Sequence, residues 1–205
     1  MNNNTLRIMP IGDSITEGGE TLSRCYRYPL RQKLSDNGYN NVKFIGTRKS
    51  PSCHGDLYHE GYGGKNATYI VPVVSRNYEQ LPADVVLLHM GHNFSSEDNP
   101  IPIIISETKQ LIDTLLEINS NVKVLLATVI PSGNLPKYSY IPGLNKEIKK
   151  LGEHYKIYCN NIIIVDLADN FNWETDTVDD KVHPNTTGAE KIASEWYKAI
   201  VAILK

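Results

Sequence analysis

The run VVLLHM at residues 85–90 and the run VKVLLATVI at residues 122–130 decide the fold. Both are nearly continuous in apolar residues and do not alternate between apolar and polar ones. Such runs are typical of strands covered on both faces, as in the parallel sheets of α/β proteins. They therefore predict a sheet with helices packed on either side.

Outward from these two runs, strands and helices alternate along the chain. Strands are predicted at residues 6–11, 42–46, 84–90, 122–129 and 161–167. Apolar residues recur at helical spacing in residues 27–37, 66–80, 103–118, 144–158 and 189–203. This alternation predicts an α/β protein with a parallel sheet, and the 205 residues are expected to form one domain, 1–205.

Composition excludes several classes of protein. Charged residues make up 21% of the chain, the net charge is -2 and no block of Lys and Arg stands out, so neither nucleic acid nor a membrane is expected as a partner. The three cysteines have no C-x-x-C spacing and indicate neither a zinc site nor a disulfide framework, although an oxidising compartment would allow Cys25 and Cys53 to pair. No signal peptide is evident, which predicts a cytoplasmic protein, or a secreted one whose leader has been removed.

Polar residues follow several of the predicted strands where each strand ends. Residues 12–14 (GDS) follow the first strand, 59–64 (HEGYGG) lie in the loop after the second, 91–93 (GHN) follow the third, and 180–183 (DKVH) come after the fifth. In open α/β sheets, sites form beyond the carboxyl ends of the strands. A serine, an asparagine, an aspartate and a histidine are therefore expected along one edge of the sheet.

These residue types meet the needs of acyl transfer. A serine hydroxyl such as that of Ser14 becomes a strong nucleophile when a base, here His183, takes its proton. Asp180, three residues before His183, is placed to fix the imidazole tautomer. The backbone N–H groups of Ser14 and Gly64, with the amide of Asn93, would form an oxyanion hole.

Each of these residues also has a plainer interpretation when it is taken alone. Ser14 fits a helix N-cap, Asn93 fits a turn, and Asp180 with His183 fits a solvated loop. Their joint arrival at strand ends, in the order Ser, Gly, Asn, Asp-x-x-His, favours the catalytic interpretation.

The same motifs resemble a known family. "GDSIT", the glycine of "HEGYGG", the asparagine of "GHN" and "DDKVHP" are similar to the four blocks of the SGNH (GDSL-type) hydrolases. "YRYPLRQKL", "VKFIGT", "DVVLLHMG" and "VHPNTTGAEKIASEWYKAI" extend the resemblance over nearly the whole chain, to the acetylxylan-esterase-like branch, carbohydrate esterase family three.

The resemblance implies a fold, a reaction and residue roles. The fold is a flavodoxin-like three-layer α/β/α sandwich with a five-stranded parallel sheet in the order 2-1-3-4-5. The reaction is hydrolysis of O-acetyl esters on carbohydrate. Ser14 matches the nucleophile, His183 the base and Asp180 its partner, and Ser14, Gly64 and Asn93 match the oxyanion donors.

One position departs from the family pattern. The third block commonly reads Gly-x-Asn-Asp, whereas Phe94 follows Asn93 here. Phe94 is predicted to shape the acyl pocket or a sugar-stacking wall, and His92 to contact substrate or to pack as a bonded histidine. Asp13 is expected to support the turn under Ser14, with a direct contact to substrate as the alternative. Stacking on sugar is considered for one or two tyrosines near the rim, among Tyr26, Tyr28, Tyr62, Tyr138 and Tyr140.

Three functions are weighed on this basis. The first is a serine esterase that deacetylates carbohydrate, acting as a monomer or small homo-oligomer without a cofactor. No H-E-x-x-H or comparable spacing of histidines occurs, so no metal is expected. The second is a thioesterase or lysophospholipase for longer acyl chains. The third is a non-catalytic carbohydrate-binding or nucleotide-binding module, since fold alone does not fix function.

Overall fold

The computed structural model describes residues 5–19, 24–49 and 57–204. Strands and helices alternate through most of this part of the chain. The strands are β1 (Leu6–Gly12), β2 (Val42–Phe44), β3 (Arg48–Lys49), β4 (Tyr58–Gly61), β5 (Val85–His89), β6 (Lys123–Ala127) and β7 (Ile162–Val165). The helices are α1 (Ser14–Glu17), α2 (Arg27–Asp36), α3 (Ala67–Gln80), α4 (Ile101–Ile118), α5 (Ile141–Lys156), α6 (Trp173–Asp176) and α7 (Thr186–Leu204).

β1 lies in the middle of the sheet. On one side β5, β6 and β7 follow it in parallel, with Gly12 of β1 opposite His89 of β5. On the other side β2 pairs with the first half of β1, at Leu6–Ile8, and β4 pairs with the second half, at Ile11 and Gly12. β3 pairs antiparallel with β4 at the edge. The last residues of β1, β5 and β4 therefore meet at one end of the sheet.

The predicted α/β/α class is confirmed, but the predicted count of five strands is wrong, because the described residues already form a sheet of seven strands. The order 2-1-3-4-5 holds only when β2 and β4 together are counted as the second strand. The strand predicted at 42–46 ends at Phe44, and Gly46 packs against β4 so closely that a Cβ there would lie 2.4 Å from the His59 carbonyl. β4 was missed because YHEG is short and mostly polar.

Helices cover both faces of the sheet. On one face α3, α4 and α5 bury a continuous apolar cluster that includes Ile70, Val74, Leu111, Ile112, Leu144 and Ile148. On the other face α2 and α7 bury a second cluster, in which the ring centroids of Tyr26 and Trp196 lie 6.4 Å apart. The sheet is thus shielded on both faces, and its edge beyond the carboxyl ends of the strands carries the polar loops.

Two cysteines have distinct states. Cys25 is buried and disulfide-bonded, a state that the sequence left open for an oxidising compartment, whereas Cys159 is free. Cys53, the partner considered for Cys25, lies outside the described residues. Among the helices that the structure describes, none has both the length and the apolar character needed to span a bilayer. That one domain covers residues 1–205 stays a prediction.

Candidate active site

A tight turn at the end of β1 carries Ser14. Asp13 caps the short helix α1, because its Oδ1 accepts a hydrogen bond from the Ile15 N–H at 3.0 Å. A Cβ on Gly12 would lie 2.1 Å from the His89 carbonyl oxygen and 2.4 Å from Oγ1 of Thr16, so only glycine fits there. Ser14 is therefore the first residue of α1, where the backbone N–H has no acceptor within the helix.

His183 and Asp180 form a chain of contacts with Ser14. Nε2 of His183 lies 2.8 Å from Oγ of Ser14, and Nδ1 of His183 lies 2.7 Å from Oδ2 of Asp180. Asp180 also accepts hydrogen bonds at Oδ1 from the N–H groups of Val182 (2.8 Å) and His183 (2.9 Å). The three predicted triad residues are thus in hydrogen-bonding sequence, with the carboxylate held from two sides.

The carboxyl group of Asp180 is ionised at neutral pH. Its partial burial raises the pKa, but the hydrogen bonds from His183 and Val182 outweigh this effect and hold the pKa below the ordinary value. An ionised carboxylate stabilises the imidazolium that forms when a histidine takes a proton from serine. Asp180 can supply that charge here.

The triad loop, residues 178–183, is fastened to the loop that follows β6. Oγ of Ser132 and the N–H of Gly133 both donate to the Lys181 carbonyl at 2.9 Å. Lys181 itself lies at φ 59°, in the left-handed region. Gly133 packs so closely on the ring of Trp173 that a Cβ would lie 2.2 Å from it. Sequence reasoning missed Ser132 and Gly133, because their contact with residue 181 joins distant parts of the chain.

Asn93 and Gly64 lie near each other in the fold. The side-chain amide of Asn93 donates to the Lys65 carbonyl at 2.9 Å, which ties the turn after β5 to the loop after β4. Gly64 is exposed at φ 71°, and no atom lies within 4 Å of a Cβ built on it. Tyr62 N–H donates to the Gly12 carbonyl at 2.9 Å, which joins the same loop to the end of β1. The predicted oxyanion donors thus belong to three segments bonded to one another.

The neighbouring glycine, Gly63, has a different use. A Cβ there would lie 2.1 Å from Oε2 of Glu17 and 3.9 Å from Cβ of Ser14. The carboxylate of Glu17 pairs with Arg48 at 2.6 Å. Glu17 is therefore an acidic group on the wall beside Ser14, one turn along α1. Its position three residues after Ser14 in the sequence is the signal that could have revealed it.

An open cavity of about 330 Å³ lies beside the triad. It is lined by Ser14, Glu17, Gly18, Gly19, Arg24, His183 and Pro184. Within residues 5–19, 24–49 and 57–204, its wall carries one acidic and one basic side chain and no large aliphatic one. Across the described residues, no group of three or more His, Cys, Asp and Glu could hold a metal ion.

Several residues considered for contact with substrate are buried in the structure. Asp13 is 0%, His92 1% and Tyr62 7% exposed, so these three do not reach the cavity surface as substrate ligands. Tyr62 instead donates to Glu60 at 2.5 Å. Phe94 is partly buried against the core on the α3–α5 face. Of the tyrosines considered for stacking, Tyr28 is half-buried, and those that are buried are Tyr26, Tyr62, Tyr138 and Tyr140.

The exposed aromatic residue near the oxyanion loop is Tyr69, which sequence reasoning did not single out. Its ring is 45% exposed and lies 4.8 Å from Nζ of Lys65, whose carbonyl accepts the amide of Asn93. Asn66 caps α3 by accepting from the Tyr69 N–H, which fixes this residue in the first turn of the helix. Tyr69 and Lys65 are therefore available at the rim.

Comparison with known proteins gives a consistent result. The model of the GDSL-like lipase/acylhydrolase family matches residues 11–191. A multidomain esterase of Ruminococcus flavefaciens is 30% identical over 235 residues, a match that covers 98% of this chain but 29% of that protein. The chain thus spans less than a third of the length of this relative.

Solved structures of similar fold include two carbohydrate esterases. A family 3 carbohydrate esterase of Clostridium thermocellum has a TM-score of 0.85 at 28% identity, over 98% of both chains. A carbohydrate esterase family 3 structure from Talaromyces cellulolyticus has a TM-score of 0.84 at 23% identity, over 97% of this chain and 98% of its own. At the lower identity the likeness shows the fold alone.

Proposed function

Because the chain belongs to the GDSL-like lipase/acylhydrolase family, a family of carboxylic ester hydrolases, we propose that it is a serine esterase that removes O-acetyl groups from carbohydrate. The observation that carries the proposal is the continuous contact of Ser14, His183 and Asp180, at 2.8 and 2.7 Å, beside an open cavity. The similarity to the family 3 carbohydrate esterase of Clostridium thermocellum supports the substrate class.

In the first half of the reaction, Oγ of Ser14 attacks the ester carbonyl while Nε2 of His183 takes its proton. Asp180 holds the opposite ring nitrogen and stabilises the imidazolium. The carbonyl oxygen becomes negative and accepts hydrogen bonds from the N–H groups of Ser14 and Gly64 and from the amide of Asn93. The tetrahedral intermediate then collapses as His183 gives its proton to the leaving sugar hydroxyl.

In the second half, water takes the place of the sugar. His183 removes a proton from the water, which attacks the acetyl carbonyl of the acyl-enzyme. The same donors hold the second oxyanion, and the proton returns to Oγ of Ser14 as acetate leaves. Every proton in the cycle moves through Nε2 of His183, which suits its position next to Ser14 and the cavity.

The cavity wall favours a short acyl group and a polar leaving group over a fatty chain. Glu17 and Arg24 line it, and both side chains are costly to leave against hydrocarbon. Of the isoleucines at the start of α4, which a long acyl groove could use, three pack into the fold and Ile103 is 41% exposed. Ile104 is fully buried, and Ile101 and Ile105 pack against the core.

The test is acetate release from a panel of acetylated mono- and oligosaccharides. Ser14→Ala is expected to lower kcat by about a thousandfold or more. Ser194→Ala changes a half-buried serine of α7 that is bonded to the Glu190 carbonyl, and it is expected to keep wild-type activity. Aryl esters from acetate to octanoate measure the chain-length preference in parallel. Activity that rises toward octanoate, or acetate release that survives Ser14→Ala, would overturn the proposal.

A further inference from the structure

The side chains that directly precede Ser14 and Asn93 contact each other inside the protein. Oδ2 of Asp13 lies 3.6 Å from Nδ1 of His92, within ion-pair distance, and each side chain is 1% exposed. Asp13 follows β1 and His92 follows β5, two strands that pair in parallel up to Gly12 and His89. The contact therefore spans the two adjacent strand ends that carry the proposed nucleophile and an oxyanion donor.

Asp13 divides its carboxylate between two partners. Oδ1 accepts from the Ile15 N–H and caps α1, which leaves Oδ2 to face His92. Complete burial raises the pKa of Asp13, but His92, His89 and the Ile15 N–H outweigh this effect, so the pKa lies below its ordinary value. A buried ionised carboxylate is unfavourable without a partner, and the His92 ring supplies one.

The ring of His92 is also held on its far side. Tyr138 packs edge-on against it with ring centroids 5.3 Å apart, and His89 lies 6.0 Å away. Among the described residues, neither ring nitrogen of His92 has a hydrogen-bond partner. Four titratable groups surround the ring: Asp13 after β1, His89 of β5, and Tyr138 and Tyr140 before α5. Tyr140 lies behind Tyr138 and donates a hydrogen bond to the Gly91 carbonyl at 2.7 Å. The nearest of these with a charge is Asp13.

We propose that Asp13 and His92 form a positioning pair, which sets the separation and orientation of Oγ of Ser14 and the amide of Asn93. The inference rests on the proposed function for the roles of Ser14 and Asn93. Neither member of the pair is exposed enough to touch substrate, so the pair acts through the residues that follow it. A shift of one turn relative to the other would misplace the oxyanion donor, and positional errors of about 1 Å can cost a hundredfold in rate.

The fold provides a matched control on the same two strands. Arg7 of β1 and Asp84, directly before β5, form an ion pair at the opposite end of these two strands, with Nη2 of Arg7 3.1 Å from Oδ1 of Asp84. The Arg7 N–H also donates to Asp84 at 2.7 Å. This pair joins β1 to β5 as Asp13 and His92 do, but far from Ser14. Variants that break the Arg7–Asp84 pair show how much a purely structural link between β1 and β5 contributes to stability and to kcat.

Substitutions at Asp13 and His92 separate the charge of the carboxylate, the volume of the ring and the nitrogen that faces Asp13. Asp13→Asn keeps an oxygen for the Ile15 N–H and removes the charge. His92→Phe keeps a ring against Tyr138 and removes Nδ1, whereas His92→Asn keeps a nitrogen near that position. On an aryl acetate, Asp13→Asn and His92→Phe are expected to lower kcat about tenfold or more with KM changed less than twofold.

Three further results are expected from the same set. His92→Asn recovers part of the loss seen in His92→Phe. The double variant Asp13→Asn/His92→Phe is no slower than the slower single variant, because both remove one contact. Arg7→Gln and Asp84→Asn lower the Tm but leave kcat at the wild-type value.

A second readout does not depend on turnover. Fluorophosphonates phosphonylate an activated serine: a bond forms between Oγ of Ser14 and phosphorus, fluoride leaves and His183 takes the proton. The labelling rate is expected to fall in Asp13→Asn and His92→Phe and to stay unchanged in Arg7→Gln. Wild-type kcat and labelling rate in folded His92→Phe, or equal losses in the control pair, would overturn the positioning role. Loss of the proposed function looks different: wild-type protein would then release no acetate, although the labelling comparison could still be made.

Discussion

Asn93 has an unusual backbone for a non-glycine residue. It lies at φ 68°, in the left-handed region, and one N–H of its amide is occupied by the Lys65 carbonyl at 2.9 Å. Residues in this region typically carry a strain of about 1 kcal/mol or more, which the surrounding contacts must offset. The anchored amide has a second N–H, whose direction is fixed by the first. Such a donor is oriented before substrate binds.

Asn93→Gly tests this residue without adding strain, because glycine adopts positive φ freely. We expect kcat on acetyl esters to fall about a hundred- to a thousandfold, with the Tm close to the wild-type value. The matched control is Asn99→Gly, since Asn99 also has positive φ (45°) but is exposed after the 3-10 helix Ser96–Asp98. Similar kcat losses in both variants, or none in Asn93→Gly, would contradict the oxyanion role.

At this scale the sequence predicts some contacts and not others. The approach of Ser14, Asp180 and His183 follows from motif order, because parallel strands bring their carboxyl ends to one edge. The contact of Asp13 with His92 does not follow, since it depends on the register of β1 against β5 and on side-chain direction. The burial of Tyr62 depends on Glu60, which sequence reasoning did not pair with it. The chemical roles of the triad and oxyanion residues stay predictions.

The triad loop is a separate element whose position depends on a neighbouring loop. Ser132 and Gly133 together give two hydrogen bonds to the Lys181 carbonyl, which lies in the chain between Asp180 and His183. The loop has no regular secondary structure of its own around His183, so these bonds contribute to keeping Nε2 near Ser14.

Ser132→Ala removes one of the two bonds to the Lys181 carbonyl and adds no bulk. It also removes the hydroxyl that accepts from the Asn134 N–H at 3.1 Å. One such hydrogen bond typically contributes about 1 kcal/mol, which corresponds to roughly a fivefold change in rate if it is lost from the positioning of the loop. We expect kcat to fall by that order while KM changes little, measured on an aryl acetate. Ser194→Ala, which loses a comparable bond to a backbone carbonyl in α7, serves as the control. A kcat unchanged in Ser132→Ala would contradict a positioning role for this hydroxyl.

Long periodic elements were predictable and short polar ones were not. The helices predicted at 103–118 and 66–80 are observed at Ile101–Ile118 and Ala67–Gln80. They were predictable because the apolar stripe that faces the core does not depend on where each helix begins or ends. β3 and β4 fall in a stretch interpreted as irregular, and their pairing depends on Gly46 and Gly61 approaching other backbone closely. Strands of two and four residues carry too little pattern to predict.

The stability of the whole molecule depends on pH through two buried, uncharged histidines, His59 and His89. Nε2 of His89 accepts from the Ile130 N–H and Nδ1 of His59 accepts from the Gly61 N–H. Burial lowers the pKa of His89 from 6.5 to about 4 and, with Arg27 and Arg48 nearby, that of His59 to about 2. Between the ordinary and the lowered pKa, the unfolded chain binds protons that the folded protein does not.

Stability should therefore decline in acid well before the carboxylates titrate. The contribution of His89 to the free energy of unfolding is complete above pH 6.5 and is lost as the pH falls toward 4, by about 3 kcal/mol. Urea unfolding at several pH values between 8 and 4 measures the slope. His89→Gln, which keeps an acceptor for Ile130, is expected to show a shallower slope below pH 6.5 and a wild-type slope above it. Parallel profiles over the whole range would show that His89 is not the group responsible.

The free thiol of Cys159 is a site for covalent attachment to the protein. It is the one free thiol among residues 5–19, 24–49 and 57–204, and it lies between α5 and β7, at the edge where β7 begins. Since β7 runs toward the loop of Asp180 and His183, its beginning is at the end of the sheet opposite the triad. Cys159 is partly buried against the core, and a maleimide dye or surface linker that reacts with it would leave the cavity facing solution. The protein could then be immobilised in one orientation, with the edge that carries Ser14 and His183 accessible.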